Sequence, residues 1–437
     1  MRFPRWGWVA LASFVLSFTL AAGQVPPAES PKQPLHVIHV DNGPNSAKAQ
    51  NRHYVVLVSL DGFGWDWAKR DGAKNLLALG KQGVSAPDGM LPSYPSLTFP
   101  NHITIVTGLY PEHHGVVANN FYDPDRKASF ALFDRKAVTD GTWYGGTPLW
   151  SLAESQGMRA ACLFWPGSEA KIAGYQPTYY LRFDNNLDQN ARIDQVLAWL
   201  KLPEADRPHF ITMYFATPDR EGHKFGPDAP ETKAAVLKMD GMVGKLKAGL
   251  DATGLPIDLV VVSDHGMAKV EDGWVTLDKF ADLNGFEAAG TLLYTDTEEK
   301  RARLYNQLKK ASPDFIAYRR KDVPPELNYN QNPREGDPVL VATGPYAIRV
   351  RTPPAGKPDE PPIPGIHGFD PVKVPQMKAI FFAAGPDIVE GGTVAPFENV
   401  NLYPWLAHLL SLTPPKNDGS LNVLAGTLRD NGNDPGN

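Results

Sequence analysis

The sequence predicts an α/β fold: a mainly parallel central sheet with helices on both faces, carrying a small α+β insertion. Three observations point to it. First, short continuous apolar runs rich in β-branched residues, at 54–60, 210–215 and 257–263, lack the alternation of a half-exposed strand and suit strands covered on both faces. Second, each run leads into acidic residues, Asp61-Gly62, Thr217-Pro218-Asp219 and Asp264-His265, where the strand ends. Third, residues 232–250 carry apolar residues at helical spacing between the second and third runs, completing a strand–helix–strand unit.

In chain order, Arg2 and Arg5 precede an apolar stretch from Trp6 to Leu20 and the small residues Ala21-Ala22-Gly23. This is the pattern of an export signal, residues 1–23, and it falls short of the ~20 apolar residues that span a bilayer. No membrane span is expected later, so the mature chain should be periplasmic or secreted. Residues 24–51, rich in Pro, Ser, Gln and Asn, are expected to form a flexible linker. Residues 52–437 are expected to form a single catalytic domain. Within it a helix around 148–153 precedes a strand at 160–164. The texture changes at 291–350, where a charged helical segment (298–310) and short strands (315–318 and 339–342) suggest the insertion. A proline-rich loop, 353–364, then delivers Gly365-Ile366-His367-Gly368, followed by a strand at 378–384 and a last helix around 401–412.

Composition narrows the function. With 437 residues, 42% hydrophobic, the chain can bury a large core, and a net charge of −5 provides no basic field for a stable nucleic-acid partner. The single cysteine, Cys162, sits in an apolar run and excludes an intramolecular disulfide.

The chemistry lies at the strand ends. Carboxylates outside the carboxyl ends of strands are placed for ligand binding in an open α/β sheet. Asp61, Asp264 and His265 form one oxygen/nitrogen ligand set; Asp219, His223 and His367 form a second. With no thiolate available, such sets suit zinc best, with manganese or iron as alternatives, and three protein ligands leave a position open. Any one of these residues alone would serve equally well as a turn or helix cap; six together are difficult to explain that way. Thr98, in Pro95-Ser96-Leu97-Thr98-Phe99-Pro100-Asn101-His102, is the hydroxyl that a metal could activate.

The segments Val58-Ser59-Leu60-Asp61-Gly62, Thr98-Phe99-Pro100-Asn101-His102, Pro218-Asp219-x-x-Gly222-His223, Ser263-Asp264-His265-Gly266-Met267 and Gly365-x-His367-Gly368 resemble, in order and spacing, the nucleotide pyrophosphatase/phosphodiesterase family of the alkaline phosphatase superfamily. The resemblance runs from Tyr54 to Leu424. It implies an alkaline-phosphatase-like fold and two zinc ions. Asp61, Asp264 and His265 would hold one, together with the Thr98 oxygen, and Asp219, His223 and His367 the other. Thr98 would be the nucleophile, giving a covalent phospho-threonine ester that water then releases. Asn119 matches the family's oxyanion donor, acting with the backbone N–H of Phe99. Phe99 and Tyr180 match positions that sandwich a nucleobase, Tyr214 one that lines the same slot, and Trp165 and Glu169 follow the pattern as further substrate contacts. Where several mammalian members carry lysines, this chain has Leu97 and Asn120, which weakens recognition of additional phosphates.

The substrate implied is therefore a small phosphodiester, preferably a nucleotide, cleaved to a nucleoside 5′-monophosphate. A phospholipid or glycerophosphodiester hydrolase of choline type is the alternative on the same centre, and a phosphomonoesterase a more distant one. A sulfatase would need Cys or Ser in a C/S-x-P-x-R context where this chain has Thr98-Phe99-Pro100-Asn101-His102. A binding protein without activity would typically lack a ligand or the nucleophile, and all are present.

Overall fold

The computed structural model describes residues 35–270 and 273–429; the expected export signal lies outside the described residues. The sheet is built from β1 (Val37–His39), β2 (Tyr54–Leu60), β3 (Val84–Ser85), β4 (Ala160–Leu163), β5 (Tyr179–Leu181), β6 (Phe210–Phe215), β7 (Ile257–Val262), β8 (Phe381–Ala384) and β9 (Gly392–Thr393). These nine strands lie in the order β1-β5-β4-β6-β2-β7-β8-β3-β9. The five central strands from β5 to β7 are parallel, whereas β1 pairs antiparallel with β5, and β8 antiparallel with both β7 and β3. The sheet is thus mixed: parallel at its centre, antiparallel where β1 and β8 join, and parallel again where β9 pairs with β3.

Burial explains the apolar runs. Every residue of β2, β6 and β4 is buried, so both pleat faces are covered. One face, with Val55, Leu57, Phe210, Val260 and Phe381, packs into a core with Ile103, Val106, Trp150, Trp405 and Leu406. Those residues come from α2 (Thr98–Thr107), α3 (Leu149–Ser155) and α7 (Leu402–Leu409). The alternate residues Val56, Val58, Ile211, Met213 and Val261 are equally buried and belong to the opposite face. That face is covered by α1 (Lys74–Gln82), α4 (Gln189–Trp199) and α6 (Pro230–Asp251), which bury Leu76, Leu79, Ile193, Val196, Val236, Met239 and Val243. Among the described residues no helix is long and apolar enough to cross a membrane.

The expected linker is corrected over its second half. Val37, Ile38 and His39 pair with Leu181, Tyr180 and Tyr179, and Asn45 donates to the Glu204 and Arg207 carbonyls while accepting from the Arg159 N–H. A three-residue edge strand needs no periodic apolar pattern, because backbone pairing and a buried asparagine hold it.

The insertion begins earlier than residue 291, at Val275. Val275–Thr276 pairs with Ile348–Arg349, Glu287–Ala289 with Leu292–Tyr294, and Phe315–Tyr318 with Val339–Ala342. Together with the helix Glu298–Leu308 they enclose a separate core of Leu277, Leu283, Phe286, Leu293, Leu304, Leu308, Phe315 and Leu340. Polar anchors join it to the segment preceding and containing Asn119. Glu112 accepts from the Asn330 and Gln331 N–H groups, the Tyr329 hydroxyl donates to the Val117 carbonyl, and Arg334 reaches Asp123 and the carbonyls of Gly115 and Trp143.

Glu335, next to that arginine, is fully buried beside Tyr94 and Tyr329, and burial, reinforced by Glu112, pushes its carboxyl up to about 8. The group stays protonated in the fold but ionises on unfolding above its ordinary value near ~4.3. Its contribution to stability is complete below that value and is lost as pH rises through about 8. Glu335→Gln should therefore melt at a higher temperature than the parent at pH 8 and converge with it near pH 4, measured as Tm against pH. A difference that does not vary with pH would show that the carboxyl is not held protonated.

Candidate active site

The site forms because three parallel strands end in register. Ser59 of β2 lies opposite Tyr214 of β6 and Val262 of β7, so Asp61, Asp219 and Asp264 all emerge beyond one edge of the sheet. Their close approach requires Gly62, at φ +67: a Cβ there would lie 2.7 Å from the Asp219 Cβ. The Asp219 N–H donates to the Asp61 carbonyl at 2.9 Å, tying the two strand ends together. Asp219 and His223 share α5 (Asp219–Phe225) four residues apart, hence on one face, with His223 Nε2 3.4 Å from Asp219 Oδ2.

All six expected ligands converge. His265 Nε2 is 3.0 Å from Asp264 Oδ2 and 3.6 Å from Asp61 Oδ1, and His367 Nε2 is 3.1 Å from His223 Nε2 and 3.6 Å from Asp219 Oδ1. The rings of His265 and His367 stack 3.6 Å apart, so the two sets adjoin and His265 lies within ligand range of either.

The donor chemistry fits cations. Buried oxygens of Asp61 (Oδ1), Asp219 (Oδ1) and Asp264 (Oδ2) have no hydrogen-bond donor. Nδ1 of His223, His265 and His367 faces the carbonyls of Gly365, Gly266 and Ser96 at 2.8, 2.9 and 2.9 Å. Each ring therefore donates from Nδ1 and turns an Nε2 lone pair into the site. Burial, then Asp264 and Asp219, pushes the Asp61 carboxyl well above its ordinary value, and burial likewise raises Asp219. Against burial, His265 and His102 hold Asp264 below the usual range, while burial with His265 and His223 drives His367 well below its own. Burial thus disfavours ionisation of Asp61 and Asp219, Asp264 and His265 favour each other's charged forms, and His367 is pushed toward its neutral form; a divalent cation among them would let the carboxylates ionise fully.

Thr98 opens α2 at its first turn, half-buried, with Oγ1 3.4 Å from His265 Nε2. Two residues that the motif contains, but whose roles the sequence did not disclose, fix it there. Asn101 is wholly buried and donates to the carbonyls of Ser93, Pro95 and Leu97 while accepting from the Ser93 N–H, so the loop folds around its amide. His102 Nδ1 donates to the Thr98 carbonyl at 2.8 Å, and its Nε2 meets the Ser59 hydroxyl at 2.8 Å. Burial holds His102 below its ordinary pKa, with Asp264 acting in the opposite direction. The Ser96 hydroxyl donates to the Phe369 carbonyl and accepts from the Gly368 N–H, binding the nucleophile loop to the His367 loop.

Some expected roles change. The Phe99 N–H donates to Asn119 Oδ1 at 2.9 Å instead of facing the site, which leaves the Asn119 amide N–H groups to act as donors. The Phe99 ring is largely buried against Phe130. The Tyr214 hydroxyl donates to Asp61 Oδ2 at 2.5 Å, so it orients a ligand rather than lining an open slot. Trp165 is 1% exposed and donates to the His102 carbonyl, which excludes it from substrate contact. Glu169 is occupied by Arg135, in a short bidentate pair, and by the Phe183 N–H. Tyr180 stays half-buried on β5, with its hydroxyl accepting from Gln176.

A largely parallel α/β core with a threonine hydroxyl beside adjoining carboxylate–histidine groups that could hold metal ions has the arrangement of a metal-dependent phosphate-ester hydrolase. Residues 55–370 match the model of the type I phosphodiesterase/nucleotide pyrophosphatase family, and the chain belongs to that family. An uncharacterized pyrophosphatase/phosphodiesterase of Schizosaccharomyces pombe is 34% identical over 386 residues, 84% of this chain and 78% of its own. A venom phosphodiesterase of Macrovipera lebetinus is 36% identical over 85% of this chain, and human ectonucleotide pyrophosphatase/phosphodiesterase family member 1 is 34% identical over 85%. The matches span only 45% and 41% of those two proteins. Among solved structures, murine ectonucleotide pyrophosphatase/phosphodiesterase 5, an inactive threonine-to-alanine variant in complex with AMP, superposes with a TM-score of 0.80 at 29% identity, covering 86% of this chain and all of that one.

Replacing His367 by Ala should lower bound zinc from about two to about one ion per chain, read by elemental analysis of zinc-loaded protein. Unchanged metal content would remove His367 from the ligand set.

Proposed function

We propose that this protein is a zinc-dependent phosphodiesterase that hydrolyses nucleotide phosphodiesters and releases nucleoside 5′-monophosphates through a covalent ester on Thr98. The observation that carries the reading is the position of the Thr98 hydroxyl at a helix start, against His265 and the two adjoining ligand sets. Asp61, Asp264 and His265 would hold one zinc ion and Asp219, His223 and His367 the other. When bound, the pair supplies Lewis acidity that lowers the pKa of a nearby hydroxyl and offsets charge at the phosphoryl group.

Thr98 Oγ1 gives its proton to solvent and forms a bond to phosphorus as the bond to the leaving oxygen breaks, and the departing alcohol or phosphate takes a proton from solvent. Water then displaces the Thr98 oxygen, returning the hydroxyl and freeing the monophosphate. Two features of the chain suit the charge that develops. The Asn119 amide, turned by the Phe99 N–H, presents its own N–H groups to a non-bridging oxygen, and the α2 N-terminus favours an anion. The carbonyl of Thr98, anchored by His102, keeps the nucleophile from swinging away. The murine relative, inactive as its threonine-to-alanine variant and binding AMP, supports both the nucleophile and a nucleotide substrate. Relatives that include venom phosphodiesterases and ectonucleotide enzymes suit export through residues 1–23.

Initial rates of zinc-loaded protein on thymidine 5′-monophosphate p-nitrophenyl ester, p-nitrophenylphosphorylcholine and p-nitrophenyl phosphate test the substrate class. Preference for the nucleotide ester is expected. Preference for phosphorylcholine would turn the slot into a head-group pocket, and preference for the monoester would defeat the diesterase reading. Thr98→Ala should abolish turnover with zinc content nearly intact, and substantial residual turnover would overturn the nucleophile assignment.

A further inference from the structure

Asn399 lies outside every segment that identified the site and 298 residues from Asn101 in sequence, yet its side chain is wholly buried against the loop that carries Thr98. It opens the 3-10 turn Asn399–Asn401 that leads into α7. Its backbone N–H donates to the Leu91 carbonyl at 2.9 Å, and the Leu91 N–H donates to the Phe397 carbonyl at 2.8 Å, so the two segments run side by side.

The side chain completes a closed set of polar contacts. Asn399 Nδ2 donates to Asn101 Oδ1 at 2.9 Å, and Asn399 Oδ1 accepts from the Ser93 hydroxyl at 2.9 Å. Asn101 Oδ1 accepts a second time, from the Ser93 N–H at 2.8 Å. Asn101 Nδ2 lies 3.3, 3.0 and 3.0 Å from the carbonyls of Ser93, Pro95 and Leu97. Both asparagines are fully buried, so water does not stand in for a lost partner.

The backbone dictates the direction of every bond in this set. The Ser93 N–H can only donate and the three carbonyls can only accept, so Asn101 must turn its oxygen to the first and its nitrogen to the others. That oxygen calls for a further donor, which Asn399 Nδ2 supplies, leaving the Asn399 oxygen to the Ser93 hydroxyl. Turning either amide over would set oxygen against oxygen or nitrogen against nitrogen away from water, where an unpaired group bears its full desolvation cost. The Leu97 carbonyl that Asn101 holds belongs to the peptide immediately before Thr98, and it also accepts from the Asn101 N–H at 3.1 Å.

We propose that Asn399 is a positioning residue for the reaction: it fixes the Asn101 amide, which fixes the Pro95 and Leu97 carbonyls and hence the place of Thr98 Oγ1. Asn399 reaches the reacting atoms only through Asn101. The proposal rests on the reading of Thr98 as the nucleophile.

The test uses two ligands of zinc-loaded protein. Orthovanadate becomes five-coordinate when the oxygen of a nucleophile joins it, so its affinity reports where Thr98 Oγ1 stands; AMP binds without a bond to that oxygen. Asn399→Leu keeps the shape and removes both hydrogen bonds. It should lower kcat and orthovanadate affinity together by roughly tenfold or more, since a misplacement of about 1 Å is enough for such a loss. AMP affinity, read by calorimetry, and zinc content should stay at the parent's values. A purely structural role would lower Tm without separating the two ligands. Should Asn399→Leu fail to fold, Ser93→Ala, which removes only the hydroxyl engaging Asn399 Oδ1, is expected to give a smaller loss of the same pair. Parental kcat and orthovanadate affinity in the folded variant, or an equal loss of AMP affinity, would overturn the proposal. Failure of the nucleophile reading is a separate result, residual turnover in Thr98→Ala, whatever Asn399 contributes.

Discussion

The constraint on which the rest of this structure depends is the crowding of Asp61, Asp219 and Asp264 around buried imidazoles at one edge of the sheet. Burial first, and then the neighbouring carboxylates, disfavour ionisation of Asp61 and Asp219, whereas the imidazoles beside it favour ionisation of Asp264. A fold that needed only stability would replace such a group with apolar residues. Here the surroundings do the reverse: Tyr214 orients Asp61, the Gly62 N–H orients Asp264, and three backbone carbonyls orient three histidine rings. Every one of these contacts leaves a lone pair facing the same small volume, which is the arrangement two cations would satisfy.

The architecture follows from meeting that demand. Parallel strands in register bring the three acids together without loops long enough to wander, and Gly62 permits the close approach of Asp219. Thr98 is then delivered by a loop folded around the Asn101 amide, and His102 ties its carbonyl in place. The insertion, far from Asn119 in sequence, braces the segment before and around that residue through Arg334, Tyr329 and Glu112. Its contribution is to hold Asn119 against the Phe99 N–H at the start of α2.

The parts legible in the sequence were those set by short-range pattern: the apolar runs of β2, β6 and β7, the helix of α6, and the convergence of six acids and histidines at the strand ends. Residues whose roles depend on contacts from distant segments were not legible. A motif gives Trp165 and Glu169 a position but not an environment, and the structure finds one buried under His102 and the other taken by Arg135 and Phe183. Tyr214 is a slot residue by position and a ligand-orienting one by geometry. The edge strand β1 escaped because three residues paired by backbone alone leave no apolar period, and the antiparallel setting of β8 escaped because a buried run looks the same in either direction.

The central claim is that two cations reconcile this buried set of acids and imidazoles. Anomalous diffraction at the zinc edge, from crystals of protein loaded with zinc, tests it most directly. The account predicts two peaks, one among Asp61, Asp264 and His265 and the other among Asp219, His223 and His367. A map with no peak at these residues, or with a single peak at full metal loading, would contradict it.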